Sequence, residues 1–338
     1  MSIFTGQLPL VPPGGRKGAQ KDGGPAVVAL GGGHGLSATL GALRLLTTSL
    51  TAVVTVADDG GSSGRLRKDF GGLPPGDLRM ALAALCDDTD WGRTWRDVMQ
   101  HRFKGRPGSS GALDEHAMGN LLIITLWELL GNPVDGLKWA GALLGARGQV
   151  LPMSTVPLTI EGDTHSIGED GSTVSRTIRG QAECAVAGRL DDVRLLPQSA
   201  PACAEALSAI ELADWVVLGP GSWYTSVLPH LLLPELRSAL AGTAARRALA
   251  MNLTTETKET AGMSASEHLR VLRKHAPDVG FDVVIADPGS VGDRDEFIAE
   301  AGRLGAEVHF ATVRSPRSAA VHDSLRLATA YHEVFNGK

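Results

Sequence analysis

Aromatic residues are scarce in this chain: Phe, Trp and Tyr together make up 4% of it, with two tyrosines in all. A core must therefore rest on Leu, Val, Ile and Ala. Cys86, Cys184 and Cys203 stand far apart, odd in number and in no C-x-x-C pair. That argues against a disulfide framework or a zinc site and leaves each as a small buried apolar residue. A surplus of positive charge is also missing, since 32 Lys and Arg against 37 Asp and Glu give a net charge of −5. Nucleic-acid binding normally shows as clustered basic residues, so that partner class is disfavoured. The longest apolar run, about residues 121–130, is interrupted by Glu128 and is too short to cross a bilayer. The start, MSIFTGQLPLVPP, has no basic region followed by a long apolar stretch. No secretory signal is read there, and the expectation is a cytoplasmic protein.

What is present is an α/β pattern. Hydrophobic residues make up 43% of the 338 residues, enough to bury a core. Residues 1–24, rich in Gly, Pro and Lys, read as a flexible tail, and residues 25–338 as one nucleotide-binding domain. PAVVAL (25–30), GGGHGLS (31–37), a helical stretch over about 37–46 and TAVVTVA (51–57) follow one another. Strand, glycine turn, helix and strand in about thirty residues make a βαβ unit with parallel strands. A helical segment is expected over about 77–131, with 120–130 apolar almost all round and so buried. Short β-branched runs over about 155–196 predict a small β-rich insertion. Strand candidates at 213–219, 247–253, 281–287 and 306–313 then return to the α/β pattern. The fold class expected is a Rossmann-like three-layer α/β/α with a mostly parallel sheet.

Four features carry the chemistry. Gly31, Gly32, Gly33, His34, Gly35, Leu36 and Ser37 join a buried strand to a helix. A backbone without Cβ atoms can curl there and aim N–H groups at a phosphate, with the helix dipole adding positive charge. Leu36 stands where a dinucleotide fingerprint needs its third glycine, and no Lys-Ser/Thr pair completes a P-loop. The second strand ends in Asp58-Asp59, followed by Ser62, Ser63 and Arg65. Asp58 is placed to hold a ribose hydroxyl, or the two carboxylates could hold Mg²⁺ against phosphate oxygens. A second glycine turn contains Gly219, Gly221, Ser222, Trp223, Tyr224, Thr225 and Ser226. Its hydroxyls and N–H groups suit an anion, and Trp223 or Tyr224 could stack on a base. Both turns should face one crevice and together suit a diphosphate-linked ligand.

The fourth feature is plainer. Asp77 reads as the N-cap of a helix, and Asn120 as the N-cap of the next apolar one. Arg79 could reach a ligand or lie on the surface. Asp114, Glu115 and His116 offer too few suitably spaced ligands for a metal. No nucleophilic triad is visible, and His165, His230, His275 and His322 read as surface or satisfied core residues.

GGGHGLS, VTVADDGGSSGRLR, LPPGDLRM, GNLLI, VLPMS and VLGPGSWYTSVLPHLL, in that order, resemble the YvcK-like branch of the YvcK/CofD-like family, the gluconeogenesis factors, in an actinobacterial form. The resemblance runs from about Val27 to Asp287. It implies a Rossmann-like protein that binds nucleotide sugars such as UDP-N-acetylglucosamine and UDP-glucose. It also implies a role in cell shape and peptidoglycan synthesis, above all on gluconeogenic carbon sources, through a partner protein of cell-wall synthesis. Homo-oligomerisation stays open, and no cofactor is required beyond an optional Mg²⁺. Carried onto this chain, turns 31–37 and 219–226 hold nucleotide and phosphates, and Asp58 and Asp59 hold ribose or metal. Asn120 joins the ligand-binding set, and Asn252 and His268 border the sugar. His34 stands where Thr is common. Glu256, Thr257 and Lys258 replace Gln, Pro and Gly, and Met263 replaces an aromatic. The related CofD branch transfers a 2-phospholactyl group onto a deazaflavin with metal near the acidic pair, so a Mg²⁺-dependent transferase is the alternative. An NAD-dependent oxidoreductase is weakened by Leu36 and by the lack of a hydride-site acid/base pair.

Overall fold

The computed structural model describes residues 23–105, 111–167, 173–254 and 258–337. The first strands are β1 (Val27–Gly31), β2 (Leu50–Val54) and β3 (Gln149–Pro152), then β4 (Thr159–Ile167), β5 (Thr173–Arg179) and β6 (Asp192–Leu196). After them come β7 (Trp215–Leu218), β8 (Arg246–Ala250), β9 (Val283–Ala286), β10 (Glu307–Phe310), β11 (Arg314–Ser315) and β12 (Ser318–His322). Seven of these form one parallel sheet in the order β10-β9-β8-β7-β1-β2-β3. Every residue of β1, β7 and β9 is buried, as expected of strands covered by helices on both faces.

The helices of the first half are α1 (Gly33–Leu43), α2 (Gly61–Phe70), α3 (Gly76–Leu85), α4 (Asp90–Gln100), α5 (Met118–Leu130), α6 (Pro133–Leu144) and the short α7 (Gln181–Cys184). The second half adds α8 (Ala204–Leu212), a π-helical turn Trp223–Val227, α9 (Leu228–Leu232), α10 (Pro234–Gly242), α11 (Ala265–His275), α12 (Arg294–Arg303) and α13 (Ser324–Phe335). The insertion expected over 155–196 is a three-stranded antiparallel sheet, β5-β4-β6. Ile160, Ile178, Val193 and Leu195 join it to the same apolar cluster as the main sheet. Residues 1–22 of the expected tail lie outside the described residues. Gly23, the first described, accepts a hydrogen bond from Thr48 N at 2.9 Å.

Two expectations change. The first helix begins inside the glycine turn, at Gly33, four residues before the periodicity alone places it. Helix α5 is not buried all round: Gly119, Asn120, Ile123 and Ile124 face inward, while Leu129 is 72% exposed. It packs on α4 and α6 through one side, so its apolar run is wider than its contact face.

Candidate functional site

Sheet order locates the site. From β1 the chain winds outward through β2 and β3, and from β7 it winds the other way through β8, β9 and β10. The carboxyl ends of β1 and β7 therefore flank the reversal point, where open α/β sheets form a ligand crevice. Both glycine turns follow these two strands, and they touch. Gly219 N donates to Leu30 O at 3.1 Å, and the Thr39 hydroxyl donates to Gly219 O at 3.0 Å. A Cβ on Gly35 would overlap Pro220 O, so only glycine lets the two backbones approach.

The first turn forms the start of α1. Gly32 is its extended N-cap, and Gly33 has φ of +57°, a conformation that disfavours side chains. Leu36 is buried and anchors the turn. Its N–H bonds to Gly32 O at 3.2 Å, and the Ser37 hydroxyl bonds to Gly33 O at 2.9 Å. Ser37 thus bonds its own turn, while His34 is exposed.

Asp77 is not the N-cap expected of it. Helix α3 begins at Gly76 with Pro75 as N-cap, and no side chain caps it. Asp77 instead faces the glycine turn: a Cβ on Gly32 would lie 2.5 Å from Asp77 Oδ2 and 3.2 Å from Ser226 Oγ. Burial first, then the charge of Asp58, pushes the Asp77 carboxyl up to about 7, against the Gly33 N–H and Arg79, which lower it. Its Oδ2 is buried without a hydrogen-bond partner, and so is Thr55 Oγ1. A Cβ on Gly32 would also meet Thr55 Cγ2 at 2.6 Å, so these orphaned oxygens belong to residues flanking Gly32.

The acidic pair splits. Asp58 Oδ1 accepts Gly60 N at 2.9 Å, and burial raises its carboxyl against that bond and the Ser63 hydroxyl. Asp59 turns away: its carboxylate accepts Gln181 N at 3.1 Å and Ala182 N at 2.9 Å, capping α7 of the insertion. Asp59 still raises Asp58 through its charge, but its oxygens are taken by α7, whereas Asp77, itself raised by Asp58, stands beside Gly32.

Helices α2 and α5 meet at their N-termini. Ser62 Oγ accepts Asn120 Nδ2 at 3.0 Å and Ala117 N at 3.3 Å. That leaves its hydroxyl to donate to His116 Nδ1, 3.1 Å away. Asn120 is thus a strut inside the first turn of α5, whose N-cap is Ala117, and this corrects the capping role read from sequence. Ser63 Oγ accepts Gly76 N at 3.0 Å. Arg65 donates to Asp114 O at 2.7 Å.

The second turn differs most from expectation. Trp223 and Tyr224 are fully buried, so neither ring offers a face to a base. Trp223 Nε1 donates to His268 O at 3.0 Å, and the Tyr224 hydroxyl to Met263 Sδ at 3.4 Å. Met263 is thus the core floor beneath Tyr224. The anion at this turn is the protein's own Glu259, which accepts Tyr224 N at 2.9 Å and the Thr225 hydroxyl at 3.3 Å. Burial raises Glu259 to about 6 despite those bonds. Ser222 is exposed. Asn252 holds Gly221 from both sides, donating to its O and accepting its N at 2.8 Å each. His268 is buried, with Nδ1 2.8 Å from Ser264 O and Nε2 without a partner. Lys258 is exposed, and Glu256 and Thr257 lie outside the described residues. Sequence reasoning missed Thr55, Asp77 and Glu259. Asp77 is visible in LPPGD, but helix capping accounts for it there, whereas Thr55 and Glu259 carry no spacing signal of their own.

Fold and crevice define an α/β protein of the doubly wound type with an acid-flanked glycine turn at its reversal point. The chain belongs to the CofD family, described as 2-phospho-L-lactate transferase CofD, whose pattern it matches over residues 27–310. It is 52% identical over 312 residues to a Mycobacterium tuberculosis protein named "Putative gluconeogenesis factor", covering 91% of this chain and 90% of that one. The gluconeogenesis factor of Halalkalibacterium halodurans is 40% identical over 250 residues, 74% of this chain and 73% of the relative. A crystal structure of a UPF0052 family member from Bacillus halodurans matches with a TM-score of 0.77 at 33% identity, covering 92% of this chain and 99% of that one. Among the described residues no helix is long and apolar enough to cross a membrane.

Proposed function

We propose that the protein binds a nucleotide sugar, UDP-N-acetylglucosamine or UDP-glucose, and acts as a regulator of cell shape and cell-wall synthesis through a partner protein. The observation that carries this reading is the cluster at the reversal point. The start of α1, Asp58, Thr55 and Asp77 stand around one place, with Asp77 Oδ2 and Thr55 Oγ1 both buried without partners. Backbone N–H groups at a helix N-terminus suit phosphate, and buried polar atoms without partners suit a polar ligand. The second turn supports the ligand differently from the first, because Glu259 already takes its donors. It serves as a wall, with Ser226 beside Gly32.

The CofD likeness brings a divalent cation with it, and Asp58 with Asp77 fits one better than Asp58 with Asp59. Asp77 has a buried oxygen without a partner, while both Asp59 oxygens cap α7. Among the described residues no group of three or more His, Cys, Asp or Glu is placed to hold a metal. Such a cation would keep waters and ligand phosphates in its shell, as Mg²⁺ does, and would neutralise phosphate charge. The same acidic pair favours the second reading, a CofD-like transferase of a phospho-group onto a deazaflavin. Calorimetry with UDP-N-acetylglucosamine and UDP-glucose, with and without Mg²⁺, tests the first reading and should show saturable heat. Turnover with a deazaflavin and an activated phospholactate donor, lost on Asp77→Asn, would move the conclusion to the second.

A further inference from the structure

Arg79 is a buried charge that makes no direct ion pair among the described residues, although the Asp77 and Asp58 carboxylates act on it from farther off. Only 4% of the residue is exposed. Its Nε donates to Asn120 Oδ1 at 2.9 Å, and its Nη1 donates to Gln100 Oε1. Both acceptors are neutral amides, and among the described residues no carboxylate lies within ion-pair distance of the guanidinium. Its stem passes beneath Gly119, where a Cβ would meet Arg79 Cδ at 2.9 Å. A buried guanidinium is costly unless an anion compensates it. Burial disfavours its charge most and Arg102 adds repulsion, against the attraction of Asp77 and Asp58; Arg102 and Arg65 both act on nearby His116.

Two further facts give the charge a purpose. The N-termini of α1, α2, α3 and α5 converge here, through Asp77 beside Gly33, Gly76 N on Ser63, and Ala117 N on Ser62. Their dipoles add positive potential. Glu259 meanwhile fills the donors of the second glycine turn, so a ligand with two oxyanions must find its second partner elsewhere.

We propose that Arg79, with Arg102 beside it and Asn120 and Gln100 fixing its geometry, forms a second oxyanion subsite that binds a phosphate group of the ligand. The identity of that ligand as a nucleotide sugar rests on the reading above; the subsite does not. The rival is a purely structural Arg79 that staples α3 to α4 and α5.

The test compares wild type with Arg79→Met and Arg79→Lys by calorimetry, using inorganic pyrophosphate and, separately, UDP-N-acetylglucosamine. Melting curves without ligand accompany it. The subsite predicts that Arg79→Met melts at or above the wild-type temperature while its affinity for pyrophosphate falls at least tenfold, with Arg79→Lys in between. Unchanged pyrophosphate affinity in Arg79→Met overturns the proposal, as does a wild type that binds no pyrophosphate. Should Arg79→Met fail to fold, the exposed Arg102→Gln decides. A weaker pyrophosphate affinity at unchanged melting temperature supports the subsite, and an unchanged affinity overturns it. Arg79-dependent pyrophosphate binding without any UDP-sugar binding would sink the nucleotide-sugar reading alone. UDP-N-acetylglucosamine bound equally by wild type and Arg79→Met would sink the subsite alone.

Discussion

Replacing Asp77 with Asn removes a carboxyl that the fold holds against its preference for charge. Its ionisation is raised from 3.8 to about 7 by burial and by Asp58. A raised acid favours the folded state most while protonated. Its contribution is complete below the unfolded value of 3.8 and is lost as pH rises through 7. At 1.36 kcal/mol per pH unit, the full penalty at pH 8 is about 4 kcal/mol, of which about 2 kcal/mol is already present at pH 5. Asn is nearly isosteric: its oxygen can still face the Gly33 N–H, and its amide fills the place of the partnerless Oδ2. The Asn variant should therefore gain on wild type by about 2 to 3 kcal/mol between pH 5 and pH 8. Urea midpoints at pH 5, 6, 7 and 8, at constant ionic strength and equal m-values, measure that gain. A difference between the two proteins that does not change with pH would refute the buried, Asp58-coupled carboxyl. So would a variant less stable than wild type at pH 8. The same substitution should weaken Mg²⁺-dependent ligand binding, so stability and affinity move in opposite directions.

Glu259→Ala leaves the Tyr224 N–H and the Thr225 hydroxyl unpaired in the core and should cost about 2 kcal/mol in urea unfolding. Glu259→Gln should instead flatten the loss of stability that wild type shows as pH rises from 4.5 through about 6, because the raised carboxyl no longer ionises. Asp59→Ala uncaps α7 and should cost about 1 kcal/mol. Hydrogen exchange over residues 173–196 should rise while nucleotide affinity stays unchanged, since Asp59 points away from the crevice. Gly35→Ala drives a Cβ into Pro220 O and should destabilise by about 3 kcal/mol, read as a lower melting temperature.

Much of this arrangement is legible in the residues. The largely apolar runs 25–30 and 51–57 supply most of β1 and β2, parallel strands whose side chains are mostly buried. The glycines of 31–35 mark a backbone approach that no side chain permits. What the sequence hides is direction. Asp58 and Asp59 are neighbours in the chain, yet one accepts Gly60 N and the other accepts the first N–H groups of α7. Trp223 and Tyr224 look like stacking groups because they follow a glycine turn, but the π-helical turn rolls both into the core. Asp77 and Asn120 sit where capping residues belong. Only the packing of α3 against α1, and of α5 against α2, shows that their side chains face other helices. Long-range pairings such as Glu259 with Tyr224 leave no periodic trace at all.

A crystal structure of the protein with UDP-N-acetylglucosamine and Mg²⁺ tests the central claim most directly. The account predicts a phosphate within hydrogen-bond distance of the N–H groups at the start of α1, beside Asp77, with Glu259 still bound to Tyr224 N. Well-ordered ligand in any other part of the molecule, or phosphate at the Tyr224 N–H with Glu259 displaced, would contradict it.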